Sequence, residues 1–99
     1  MKRNNTKSRR DALTPQQLLM LVGYQLEYAR GVGNRKIACL MCEDAESVLS
    51  LLKKAFKTPL DQEMRMRLSI VYGNLGRLYK SLGDDGKADS RLKKATQLR

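Results

Sequence analysis

The order of small and large residues in positions 69–98, SIVYGNLGRLYKSLGDDGKADSRLKKATQL, constrains the fold more than any other stretch of the chain. Leu68, Val71, Tyr72, Leu75, Leu78, Tyr79 and Leu82 recur at three- and four-residue steps, which puts them in one apolar stripe on a helix. Gly83, Asp84, Asp85 and Gly86 interrupt the stripe. A second one follows in Ala88, Leu92, Ala95 and Leu98, and its small members let a helix of about four turns approach the first closely. Gly76 falls inside the first helix, where glycine costs about 1 kcal/mol relative to alanine. A close neighbouring helix is the reason expected for it, so the stretch reads as a helical hairpin.

Tyr72, Leu75-Gly76, Tyr79, Gly83, Ala88, Leu92 and Ala95, in that order and at that spacing, resemble one tetratricopeptide repeat covering about a third of the chain. In that family the first helix of each unit lines a concave groove, the second covers the convex back, and the groove holds a peptide or helix of a partner. The resemblance therefore implies binding without catalysis. A shift of 50 positions sets Gly23 on Gly73, Gly33 on Gly83, Ala38 on Ala88, Cys42 on Leu92 and Ala45 on Ala95. A degenerate first unit is expected from this echo over 19–56. Leu26 takes the place of the helix glycine and Ala29 that of the second tyrosine, while the return helix runs on through Val48, Leu49, Leu52 and Phe56.

Helix punctuation supports the same organisation. Thr14-Pro15 with Gln17, and Thr58-Pro59 with Asp61, each offer a hydroxyl N-cap, a proline at the first helical position and a polar or acidic side chain within the first turn. Gly31-Val32-Gly33-Asn34 tolerates left-handed backbone and stops the first helix; Lys57-Thr58-Pro59 ends the second. Helices are expected at about 15–30, 35–56, 59–82 and 85–98. The fold class is all-α: two antiparallel helical hairpins, a fragment of a tetratricopeptide-like superhelix, over residues 14–99. A composition rich in Leu, Lys, Arg, Ala and Met, with no Trp and two Pro, favours helix throughout. Ninety-nine residues support one core but bury a modest share of their surface, which suits an oligomer or an obligate partner.

The formal charge of +10 is uneven. Lys2, Arg3, Lys7, Arg9 and Arg10 stand against Asp11 alone in residues 1–13, a polar basic tail expected to be disordered in isolation. Such a tail is either a solvated solubility segment, an import address or a phosphate-binding arm, so a small basic nucleic-acid-binding protein is the alternative function. Base-stacking aromatics are scarce. Tyr72 and Tyr79 belong to the apolar stripe, which leaves Tyr24 and Tyr28, one turn apart, as the only candidates. The longest apolar run, Leu18 to Val22, falls far short of the roughly 20 residues a membrane helix needs, and no apolar signal segment precedes Thr14. A cytoplasmic chain is expected, or a nuclear one in a eukaryote.

The third helix carries a second face. Arg67, Ile70, Asn74, Arg77 and Ser81 fall on one side, roughly 130° from the centre of the apolar stripe at 100° per residue, with Lys80 off the line. The resemblance makes this the groove-lining side and gives Asn74 the role of an amide that holds a partner's backbone or terminal carboxylate. An amide beside the Arg77 guanidinium suits an acidic peptide or helix, since the fork makes paired hydrogen bonds to a carboxylate.

Cys39 and Cys42 are spaced C-L-M-C, but with no histidine and no second cysteine pair they read as packing residues of a helix, not as metal or redox ligands. Glu43, Asp44 and Glu46 are expected to offset Lys53, Lys54 and Lys57 at the other end of that helix. The absence of histidine, of a glycine-rich phosphate loop and of a nucleophile elbow argues against an enzyme, and no cofactor is implied. Self-association is a further expectation, with Leu19, Met64, Met66 and Ile70 sealing a homo-oligomer.

Overall fold

The computed structural model describes residues 13–55 and 60–99, which form four helices: α1 (Pro15–Gly31), α2 (Arg35–Ala55), α3 (Gln62–Ser81) and α4 (Asp85–Leu98). Apart from Leu13, the basic tail lies outside the described residues, and so do Thr58 and Pro59.

Each helix begins where a short polar side chain satisfies backbone N–H groups that the first turn leaves unpaired. Thr14 Oγ1 accepts from the Gln17 N–H at 3.1 Å while Gln17 Oε1 accepts from the Thr14 N–H at 2.9 Å, a reciprocal capping box ahead of Pro15. Asn34 Oδ1 accepts from the Ile37 N–H at 3.1 Å, and Asp84 Oδ1 from the Lys87 N–H at 3.1 Å. The cap of α3 corrects the sequence reading. Asp61 Oδ1 accepts from the Met64 N–H at 2.8 Å, so α3 starts at Gln62 and its cap is this carboxylate, not the Thr58 hydroxyl.

The two turns inside the hairpins share a glycine in the left-handed region. Gly33 and Gly83 have φ of +68° and +86°, a region that costs glycine nothing and other residues more. At the second turn the Gly83 N–H donates to the Lys80 carbonyl and the Asp84 N–H to the Tyr79 carbonyl, the paired bonds of a Schellman closure.

Helix α1 packs on α2, α3 on α4, and α1 on α3. The first helices of the two hairpins thus lie side by side. Leu26, Leu52, Leu75, Val22 and Cys42 are the largest side chains wholly shielded from solvent, and they come from α1, α2 and α3. The small residues act where α3 meets α4. A Cβ placed on Gly76 would stand 2.8 Å from Leu92 Cγ and 3.1 Å from the Ala88 carbonyl oxygen, a separation only glycine allows. Ala88 and Ala95 are buried against α3, and the Ser69 hydroxyl donates to the Ala95 carbonyl at 2.8 Å, which satisfies both groups inside the contact. Tyr79 is buried and Tyr72 half-buried against the core.

The echo at 50 positions has a structural counterpart: Ala38 and Ala45 are buried on α2 as Ala88 and Ala95 are on α4. Two of the residues expected to seal a homo-oligomer are instead core. Leu19 and Met64 are 3% and 7% exposed, because α1 and α3 turn those positions toward one another's hairpin, whereas Met66 and Ile70 remain in solvent.

Candidate partner-binding groove

The unburied face of α3 presents Met66, Arg67, Ile70, Asn74, Arg77 and Ser81. Because α1 runs beside α3, the C-terminal ends of both helices meet the start of α2, and a concavity of about 500 Å³ opens between them. From α3 it is lined by Asn74, Arg77 and Ser81; from the first hairpin, by Arg30, Asn34 and Arg35. Three arginines therefore line it, and no carboxylate stands among the lining residues.

Hydrogen bonds orient this cluster. Arg77 Nη2 donates to Asn74 Oδ1 at 2.5 Å, which turns the Asn74 amide N–H groups outward as donors. Arg35 Nη2 donates to the Leu82 carbonyl, so one guanidinium is held at the C-terminal end of α3. Arg30 is tethered only loosely, 4.0 Å from an exposed Glu27, a separation that holds little in water. The Ser81 hydroxyl donates to the Leu78 carbonyl at 2.7 Å and keeps its oxygen as an acceptor.

Of the residues predicted for the groove, the structure gathers Asn74, Arg77 and Ser81 and sets two apart. Arg67 is engaged by Glu63, one turn earlier, at 2.9 Å, and does not line the concavity. Ile70 is 60% exposed and forms, with Met66 at 50%, an apolar stretch toward the N-terminal half of α3. Sequence reasoning missed Arg30, Asn34 and Arg35. They belong to the other hairpin, and only the parallel placement of α1 beside α3 brings that turn to the end of the groove.

Behind the groove, a second polar cluster ties the hairpins together. Glu46 Oε2 accepts from the Tyr79 hydroxyl at 3.0 Å and from Arg91 Nε at 2.6 Å. The carboxylate of α2 is thus committed to α3 and α4, and Asp44 to Gln25 of α1 at 2.5 Å; neither offsets the lysines at the end of α2. Burial and the bond to Glu46 hold the Tyr79 phenol well above its usual range, and that bond raises the Arg91 guanidinium further. Burial also raises the half-buried Tyr72 phenol. Cys42 is fully enclosed, and desolvation pushes its thiol up to about 11, which leaves it without a thiolate at neutral pH. Cys39 is exposed, contrary to the expectation that both cysteines pack in the core. Among the described residues no cluster of three or more histidines, cysteines or acids has the placement of a metal site. No described helix is long and apolar enough to cross a membrane.

The five cations proposed to meet nucleic acid, Lys2, Arg3, Lys7, Arg9 and Arg10, lie outside the described residues. Tyr24 and Tyr28 are 65% and 59% exposed on α1. No family model matches the chain, and comparisons with the curated proteins and with the solved structures found no match.

Proposed function

We propose that this chain is a non-catalytic interaction module, an adaptor or partner-specific chaperone of tetratricopeptide-like build, that holds an acidic peptide or helix of a partner protein along α3. One observation carries the reading: Arg30, Arg35, Arg77 and Asn74 line a concavity that holds no acid, and the exposed Met66 and Ile70 lie further along the same helix. A carboxylate entering there meets charge-assisted donors already positioned by bonds to Asn74 and Leu82. The apolar stretch begins about 6 Å along α3 from Asn74, four residues at 1.5 Å each. The favoured ligand therefore has an apolar side chain followed by acidic residues within one or two residues of extended chain.

Fluorescence anisotropy with labelled ten-residue peptides, one of Leu-Ile-Glu-Glu-Asp type and one with the acids replaced by amides, tests this directly. The acidic peptide should bind and the amidated one should lose at least about tenfold, since one charged hydrogen bond contributes roughly 1.5–3 kcal/mol. Arg77→Glu should abolish binding with helicity unchanged, and Ile70→Ser should weaken it a few-fold. Equal affinity of wild type and Arg77→Glu for the acidic peptide would remove the groove from consideration. The alternative, nucleic-acid binding, is supported by the net charge of +10. It requires a gel shift that falls steeply with salt and disappears when residues 1–13 are deleted.

A further inference from the structure

The two ends of the helical stack differ in chemistry. At the α4 end Asp85, Asp89, Lys93 and Thr96 are exposed and lie within about 80° of one another around the helix, and the other exposed positions, Gly86, Lys87, Ser90 and Gln97, are glycine or polar as well. This is the polar outer face that a terminal helix of a stacked array needs. The α1–α2 end has no such cover among the described residues. Leu21, Tyr24 and Tyr28 are 43%, 65% and 59% exposed and fall within about 60° on α1, on the side away from α3. Leu40 and Leu51 are 63% and 51% exposed on the flank of α2 that carries Asp44, the residue joined to Gln25 of α1. The two sets therefore flank one seam as two apolar ridges, with the Gln25–Asp44 bond between them.

The α1 half of that face carries little charge, and the Asp44 carboxylate at the seam is held by Gln25. Glu27 and Arg30 are the only charged residues of α1, in a chain that is 30% charged. Lys36 and Lys54 of α2 stand about 40° from Leu40, on the rim, where a long stem can cover apolar surface and keep its ammonium in water. Depletion of charge with retention of tyrosine and leucine is the composition of an interface core.

From this we propose that two copies of the chain pair face to face, α1 and α2 of one against α1 and α2 of the other, about a two-fold axis. The charge distribution selects a second copy meeting it in this way. A head-to-tail stack would press Tyr24 and Leu40 against Asp85, Asp89 and Lys93 and leave those charges dehydrated without partners, at a cost of several kcal/mol per ion. A two-fold pairing sets apolar against apolar and is self-complementary. Helices about 26 and 32 Å long and 10 Å apart offer roughly 500 Å² per copy over their shared length, about 1,000 Å² in all, the lower edge of a specific interface. The pairing is accordingly micromolar and dynamic.

Sedimentation velocity of the full chain from about 1 to 300 µM should show the weight-average coefficient rising from monomer to dimer. Tyr24→Glu with Leu40→Glu should hold it at the monomer value over the whole range, and circular dichroism should show unchanged helicity, because both side chains are already more than half exposed. Tyr24→Ser alone should raise the dissociation constant about tenfold. Lys93→Glu at the far end and Arg77→Glu in the groove should leave pairing intact, which separates this inference from the peptide-binding reading. A monomer at every concentration, or a dimer that survives the double substitution, would overturn it.

Discussion

The two hairpins share a plan and differ in how closely their helices approach. In α3–α4 the contact is made by the smallest residues: Gly76 lies under Leu92, and Gly73 has Ala95 Cβ about one van der Waals contact, 4.0 Å, from where its own Cβ would be. The polar groups trapped there are satisfied by the Ser69 to Ala95 bond. In α1–α2 the corresponding helix position is Leu26, which fills core space, and a methyl group added at Gly23 would find no described atom within 4 Å. The polar joint is also less complete, since Gln25 donates to Asp44 but its own buried carbonyl oxygen has no donor among the described residues. The second hairpin is therefore locked by backbone proximity, and the first is filled by side chains. Gly76→Val puts this to its hardest test. Its Cβ would meet Leu92 within 3.0 Å and the Ala88 backbone at 3.1 Å, so α4 must retreat. The expected loss is up to about 3 kcal/mol, or roughly 12–24 °C in thermal midpoint. Urea unfolding followed by circular dichroism measures it, and a loss below about 1 kcal/mol would show that α4 is not tightly docked.

Between the hairpins the decisive residue is Glu46, whose carboxylate joins α2 to both α3 and α4. The side chains of Arg91 and Glu46 are 30% and 24% exposed, between the surface regime, where ion pairs contribute little, and the interior, where breaking one costs about 3–5 kcal/mol. Glu46→Ala should thus cost about 2 kcal/mol, in part because the Tyr79 hydroxyl loses its acceptor. Tyr79→Phe, which removes one hydrogen bond and leaves the ion pair, should cost about 1 kcal/mol. A double-mutant cycle of Glu46→Ala with Arg91→Ala should return a coupling energy above about 0.5 kcal/mol. Strict additivity would mean that the Glu46–Arg91 ion pair does not help to join the hairpins.

The same contrast explains which parts of the molecule are legible in the sequence. Local signals are: the Thr14 capping box, the glycine turns at Gly33 and Gly83, and the small residues that bring α4 onto α3 follow from residues near in sequence. Asp61 reads as a first-turn acid and is in fact the cap, since both Thr58 and Asp61 are good capping residues and the local sequence does not choose between them. What pairs across helices is not legible. Glu46 and Arg91 are 45 positions apart, Arg35 reaches Leu82 across 47, and nothing in the local pattern distinguishes these side chains from solvated charges. The groove is half visible for the same reason: Asn74, Arg77 and Ser81 share one helix face, whereas Arg30 and Arg35 join them only through the stacking of α1 on α3.

Gly23 gives the smallest effect and the one whose sign carries most information. It matches Gly73 at the shift of 50 positions, so a faithful repeat would give it a neighbour across the hairpin, as Gly73 has Ala95 Cβ at 4.0 Å. The space around it is open, and its place is inside α1, where glycine is about 1 kcal/mol worse than alanine. Gly23→Ala should therefore stabilise the chain by about 0.5–1 kcal/mol, through propensity and a less entropic unfolded state, with no change in the groove. Destabilisation measured by the same urea titration would mean that α1 has a close neighbour at that position, and that the first hairpin is locked by proximity as the second is. A gain confines the close-approach code to α3 and α4 and leaves α1 as the helix whose outer surface is available for another molecule.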